Sequence, residues 1–360
     1  MRELIRYIFI ICAIVASVIV AIALAPSAPS TTTHIAQPKV TTARLIFGGD
    51  FMQHMPQVNA ARCEDGTYDY SATTNYIAPL FRNADIAVIN LETTISSSGH
   101  YSGYPCFASP IAVVDALVDM GVDISLLANN HCCDRLSRGI ESTIAELDTR
   151  NIAHTGVFRD SADYATNNIL RFQVEDIRFA LVNYTYGTNG ITVPKDRIVN
   201  LIDTTAIKQT LRTIPRDSVD CVIACMHWGE EYERHPNRTQ RDIAAMLRRE
   251  GVDVIIGSHP HVVQPFEADS THVVFYSLGN FVSNQRRRYT DGGLIAEVEV
   301  TKCDTMNGIR LSAKAHPIWV LCPGYKVLPR SVGDTLTMSE AQRNDYNRFM
   351  DDTDNLLFRE

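Results

Sequence analysis

The chain opens on an apolar block and then settles into a repeating alternation. Residues Ile8 to Ala25 hold Ser17 as their one polar position, with Arg2 and Arg6 ahead of them. A run of this length fits a membrane-crossing helix and also the apolar stretch of a signal peptide. Ala23-Leu24-Ala25 resembles a cleavage site, but Pro26 follows directly and hinders a peptidase. The expectation is an uncleaved signal-anchor over 1–25, single-pass in the cell membrane. Positive charge stays inside, so everything downstream lies on the extracytoplasmic side. Residues 26–43, rich in Pro, Ser, Thr and Ala, read as a flexible tether.

From Arg44 onward, apolar runs alternate with amphipathic ones. Strands are predicted near 44–48, 86–90, 123–128, 179–183, 219–226, 252–256 and 272–277, and helices near 111–120, 138–150, 204–213 and 237–250. Ile140, Ile144 and Leu147 form one helical stripe, and Ile243, Met246 and Leu247 another. Strands alternating with helices predict an α/β domain over 44–330 whose sheet is covered on both faces. Residues 291–320 are strand-rich and are expected to form hairpins packed as a second sheet. The polar tail 331–360 is expected to end in a short helix over 339–350.

Composition narrows the partners. With 45% hydrophobic and 21% charged residues the chain is a folded globular protein, not a disordered or multi-span one. A formal charge of -8 without a basic tract argues against nucleic acid as a partner. Arg286-Arg287-Arg288 is the one compact basic run and reads as a solvated turn. Eight cysteines remain beyond Cys12, none in CxxC spacing, which argues against a cysteine–zinc site. Outside the cytoplasm some of them can pair, with no connectivity assigned. Cys221 and Cys225 share one strand face and are expected in the core.

The chemistry lies at the strand ends. Leu45-Ile46-Phe47 leads to Gly48-Gly49-Asp50, and Ile86-Ala87-Val88-Ile89 to Asn90-Leu91-Glu92. Ile124 to Leu127 leads to Asn129-Asn130-His131, and Val222 to Met226 to His227-Trp228-Gly229. Val254-Ile255-Ile256 leads to Gly257-Ser258-His259-Pro260-His261, and Val273 to Tyr276 to Ser277-Leu278-Gly279-Asn280. Buried strands deliver such loops to one rim. The resulting oxygen and nitrogen ligands suit two divalent ions, Mn, Zn or Fe, bridged by a carboxylate. Taken singly, each has a plainer reading: Asp50 as a helix cap, Glu92 as a loop acid, Asn129 and Asn130 as turn formers, His227 as a core histidine.

Six ordered motifs resemble the CapA family: Gly49-Asp50-Phe51-Met52, Asn90-Leu91-Glu92, Ala128-Asn129-Asn130-His131, His227 to Tyr232, Gly257 to Val262, and Tyr276 to Phe281. That family is associated with capsule and poly-γ-glutamate biosynthesis and belongs to the calcineurin-like metallophosphoesterase superfamily. The resemblance covers about residues 44 to 284. It implies a four-layer αββα sandwich with a two-metal site at the sheet rim. Asp50 and His261 would bind the first metal, Asn130, His227 and His259 the second, with Glu92 in the bridging place and His131 as catalytic acid. Glu231, Tyr232 and Asn280 are candidate substrate contacts. For Glu231 and Tyr232 the alternative is a loop salt-bridged to Arg234, and for Asn280 a role in holding the turn. Tyr184 to Gly190 reads as a pocket wall or a plain turn.

The motifs depart from the wider superfamily in three places. Met52 stands where a histidine is usual, with His54 nearby as a possible additional ligand or a surface residue. Glutamate replaces the bridging aspartate, and Asn129 a glycine. Two functions follow from the resemblance. One is a membrane-anchored hydrolase acting on a phosphoester or polymer bond, with an anionic surface polymer or phosphorylated substrate. The other is a non-catalytic accessory subunit that binds polymer or membrane synthase subunits and uses the metals structurally. No Gly-x-x-x-x-Gly-Lys-Ser/Thr loop for ATP occurs, so polymer synthesis is assigned to another chain.

Overall fold

The strand Val40–Phe51 is the pivot of the molecule, and every other part of the first sheet is placed relative to it. The computed structural model describes residues 1–23, 38–305 and 308–358. The cleavage-like stretch at Leu24 to Pro26 and most of the 26–43 segment lie outside the described residues. The chain divides into two units, Met1–Pro38 and Lys39–Glu360. In the first unit, the helix Arg2–Ala23 carries a span, Arg2–Val20, long and apolar enough to cross a membrane. At 1.5 Å per residue this helix is roughly 33 Å long, against about 30 Å of bilayer hydrocarbon.

In the second unit, Val40–Phe51 pairs in parallel with Ile86–Leu91, followed by Ile124–Leu126 and Ala153–Thr155. Its other edge pairs antiparallel with Gly292–Cys303, which pairs with Ile309–Leu321 and then Lys326–Pro329. Asn280–Val282 also joins it in parallel, with Asp50 opposite Asn280. The second sheet runs Phe266–Ala268, Val273–Phe275, Val254–Ser258, Cys221–His227, Ile177–Thr185 and Leu170–Val174, its four inner strands parallel.

Here the structure corrects two expectations. The hairpin at 291–320 does not build the second sheet; it extends the first. Ala43, Leu45 and Phe47 lie opposite Val300, Val298 and Ala296, and all six face the same interior. The strand-and-helix run, which periodicity alone gathers into one sheet, is split between two, as the four-layer sandwich implied by the resemblance requires.

Three clusters define the layers. Leu45, Phe47, Val88 and Leu126 meet Phe179, Leu181, Ile223, Ile256 and Phe275 between the sheets. Cys221 and Cys225 belong to this interior too, and all nine cysteines are free thiols. The helices Ala112–Met120 and Leu136–Thr149 pack Leu117, Ile140, Ile144 and Leu147 against Ile46 and Ile89 on the outer face of the first sheet. The helices Thr204–Arg212 and Arg238–Arg249 pack Ile207, Leu211, Ile243 and Leu247 against Val182, Val222 and Ile255. The order is helix, sheet, sheet, helix. The two helices on the second sheet start on caps: Asp203 and Asn237 accept the first free backbone N–H groups. The C-terminal helix, Glu340–Phe358, packs Tyr346, Phe349 and Met350 on Trp319 and Leu328, and runs longer than predicted because Leu356 and Leu357 pack on the cluster between the sheets.

Candidate metal centre

The parallel strands of both sheets end at one place, and their terminal side chains touch across the gap. Close backbone approach makes this possible. A Cβ on Gly49 would collide with the carbonyl oxygen of Gly279, and one on Gly257 with that of Tyr276. Only glycine lets these strand ends draw together.

Asp50 is wholly buried at the end of its strand. Its Oδ1 accepts from Asn90 Nδ2 at 2.8 Å, and its Oδ2 lies 3.0 Å from His261 Nδ1. The backbone N–H of His259 donates to Oδ2 at 3.3 Å. His227, at the end of Cys221–His227, places Nε2 2.9 Å from Asn130 Oδ1. Glu92 stands between the two sides: its Oε1 is 3.8 Å from His227 Nε2 and 3.9 Å from His261 Nε2. Both Glu92 oxygens are buried without a hydrogen-bond partner, and so is His259 Nδ1. Two ligand groups have donor atoms within 4.8 Å of one another: Asp50, Glu92 and His227, and Glu231, His259 and His261.

Burial, followed by the charge of Asp50, holds the Glu92 carboxyl well above the usual carboxylate range. Burial also pushes His227 well below the usual imidazole range, aided by His259, His261 and His131. His259 falls to about 3, chiefly by burial and then by His261. Neutral imidazoles beside buried carboxylates are the protonation state that binds divalent ions. The loop that carries two of these rings is left-handed at both, with φ of 99° at His259 and 56° at His261. Non-glycine residues adopt that conformation at a cost, and such positions cluster at functional sites.

The other candidates fall into distinct positions. His131 sits beside the cluster with Nδ1 2.8 Å from Asp134 Oδ2 and its ring edge-on to Phe107 at 4.5 Å. Its Nε2 lies 3.4 Å from Asn189 Nδ2, and Asn189 Oδ1 accepts from Asn130 Nδ2 at 3.2 Å. His54 is half-buried, 3.2 Å from Gln57 Oε1, with Nδ1 accepting from the Asn284 N–H at 3.3 Å. Burial pushes it down to about 4. It belongs to neither three-ligand group among the described residues. Asn280 holds the turn: its Nδ2 donates to the carbonyls of His261 at 3.3 Å and Thr290 at 2.8 Å, and to Gln285 Oε1 at 2.9 Å. Among the described residues Glu231 makes no ion pair with Arg234, which instead reaches the Asp352 carbonyl.

Two residues of the site, Asn90 and Asp134, carried no assigned role in the sequence, and a third, Tyr186, lay in a segment read as a pocket wall or a plain turn. Asn90 links Asp50 to His227, with Nδ2 also 3.4 Å from His227 Nδ1. Asp134 orients His131; an acid three residues after a candidate catalytic histidine is the signal that marks it. Tyr186 lays its ring 4.4 Å from that of His259, which makes the 184–190 segment a wall of the site.

The site and fold together define a four-layer helix–sheet–sheet–helix sandwich with a carboxylate–imidazole cluster at its joined strand ends. The chain belongs to the PGA_cap family of bacterial capsule synthesis proteins, whose model matches residues 44–285. It is similar to the PGA biosynthesis protein CapA of Bacillus subtilis, 28% identical over 265 residues that cover 72% of this chain and 68% of that protein. The capsule biosynthesis protein CapA of Bacillus anthracis is 27% identical over 220 residues, 58% of this chain and 53% of that one. A Mycobacterium tuberculosis relative, named "Probable polyglutamine synthesis accessory protein", is 25% identical over 213 residues, 56% of each chain. The chain thus spans little more than half the length of the latter two. Among solved structures, an NAD nucleotidase from Haemophilus influenzae aligns with a TM-score of 0.46 and 10% identity, covering 89% of this chain and 64% of that one. A purple acid phosphatase from yellow lupin aligns with a TM-score of 0.35 and 11% identity, covering 77% and 54%.

Proposed function

We propose that this CapA-like protein is a membrane-anchored, metal-dependent hydrolase of capsule or poly-γ-glutamate metabolism, held by its N-terminal helix with the Lys39–Glu360 unit on the extracytoplasmic side. One observation carries the reading: Glu92 is a fully buried carboxyl group with no donor on either oxygen, faced by the imidazoles of His227 and His261 and by Asp50. An uncompensated buried charge costs several kcal/mol, and a divalent cation removes that cost. The donor set fits such ions. Asp50 and His261 would hold one, Asn130 and His227 the other, with Glu92 between them and His259 completing the second. Glu231 lies within reach of His259 and His261. Bound there, two divalent ions supply Lewis acidity toward a phosphoryl or carbonyl oxygen and activate water near neutral pH.

The chain's own residues do the rest. Asn90 ties Asp50 to His227, so the ligands of the two sheets keep their spacing. Asp134 fixes the His131 ring by its Nδ1, leaving Nε2 to hand a proton to the leaving group. Tyr186 and Phe107 close the site around the rings of His259 and His131.

The accessory-subunit reading has its own support. Met52 is buried where the superfamily carries a ligand histidine, and the mycobacterial relative is named an accessory protein. Elemental analysis and turnover separate the two. The full chain in detergent is expected to hold about two divalent ions, with fewer in Glu92→Ala and His259→Ala, and to hydrolyse an aryl phosphate or phosphodiester with manganese unless His131 is replaced by Ala. Full metal occupancy with no turnover on either substrate would favour the accessory role. No bound metal would overturn the site itself.

A further inference from the structure

The run Arg286-Arg287-Arg288, exposed as expected of a solvated turn, also lines a cleft of about 330 Å³. Most of the charges there are spoken for. Arg288 makes two bonds to Asp352, at 2.9 and 2.8 Å, and Arg348 pairs with Asp345 at 2.6 Å. Asp291 accepts from Trp319 Nε1 at 2.8 Å. Arg286 donates to the Ser283 carbonyl at 2.8 Å. Arg287 is different. Its guanidinium is exposed, and among the described residues it has no carboxylate or carbonyl partner. What holds it is the face of Tyr232, 4.6 Å away.

Tyr232 is itself firmly placed. Its φ is 69°, its N–H donates to the Pro260 carbonyl at 2.8 Å, and its ring lies 6.3 Å from that of His261. A chain of amides reaches its hydroxyl: Asn280 donates to Gln285 at 2.9 Å, and Gln285 Nε2 lies 3.5 Å from the hydroxyl. The Arg287 carbonyl accepts from both the N–H and the hydroxyl of Thr290, at 3.1 and 2.9 Å. An unpaired guanidinium with its backbone pinned and its head over an aromatic ring is preorganised for a planar oxyanion.

Resting on the hydrolase reading above, we propose that Arg287, braced on Tyr232, is an oxyanion-binding residue at the rim of the centre, taking a carboxylate or phosphate of the substrate. It holds that group at the rim while the reacting bond lies at the buried cluster.

The test uses the full chain in detergent, with metal content measured in every sample. Binding of a γ-linked glutamate oligomer and, separately, of inorganic phosphate is followed by calorimetry. Loss of a charge-assisted bond corresponds to roughly tenfold weaker binding in Arg287→Ala, with Arg287→Lys between it and wild type. Arg288→Ala removes the same charge from a residue committed to Asp352 and is expected to bind as wild type. The probe that responds identifies the oxyanion source. Equal binding by wild type and Arg287→Ala, or no binding of either probe by wild type, overturns the proposal. Because metal content is read independently, a retained metal site with no oxyanion binding sinks the rim residue and leaves the hydrolase reading standing.

Discussion

Asp134 Oδ2 stands 2.8 Å from His131 Nδ1, and neither side chain faces solvent. The same oxygen accepts the N–H of Phe107 at 2.6 Å, so the carboxylate is locked from two directions. Asp134→Asn keeps the size but offers a neutral amide to the ring. Turnover of an aryl phosphate is expected to fall roughly 10²-fold with metal content unchanged. An unaltered kcat would make the pair purely structural.

Glu92→Gln separates charge from shape. The carboxyl is held well above its ordinary range by burial and by Asp50. In chelator, the folded protein therefore keeps this proton more tightly than the unfolded chain, and its stability declines as pH rises past the usual carboxylate range. The amide abolishes that decline. Added manganese is expected to raise the Tm of wild type and to raise that of the variant much less. Thermal melts with and without chelator, from pH 4 to 8, decide it.

Acid sensitivity of the fold is expected to come partly from Glu297. Burial pushes its carboxyl up, but Arg44 at 2.8 Å, His316 at 3.0 Å and Lys314 at 3.3 Å outweigh it and bring it to about 2. A depressed carboxylate stabilises the fold above its unfolded value and loses that contribution as pH falls toward about 2. Glu297→Gln should lower stability at pH 7 by about 1–3 kcal/mol and flatten the acid limb of a Tm-against-pH curve. Parallel curves for the two proteins would refute it.

Gly49→Ala tests the close approach of the strand ends. The added methyl meets the Gly279 carbonyl, whose oxygen also accepts the Asp50 N–H at 3.0 Å. Overpacking of this kind costs about 1–3 kcal/mol. It should also displace Asp50, so metal affinity is expected to fall along with Tm. A variant with wild-type metal binding would show that the approach serves packing alone.

Much of this was legible along the chain, for a physical reason. Buried parallel strands read as unbroken apolar runs, and their polar ends stand out. Asp50, Glu92, His227, His259 and His261 could therefore be picked before any fold was known. What the pattern left open was which strands share a sheet. Ile86–Leu91 and Val254–Ser258 look alike in sequence, yet lie in different sheets, because pairing depends on distant partners and not on local periodicity. The hairpin at 291–320 was misplaced for the same cause: its alternation states that one face is buried, but not against which neighbour. Arg287 was passed over because exposure alone is uninformative; its meaning comes from Tyr232, fifty-five positions earlier.

The family model matches residues 44–285, whereas the carboxylate that pairs with Arg288 comes from Asp352 on the C-terminal helix. The strand-end carboxylates and imidazoles lie wholly inside that match, and the arginine turn is moored to a helix outside it. Loosening of the C-terminal helix would therefore reach the turn through one bidentate ion pair before it reached the buried cluster.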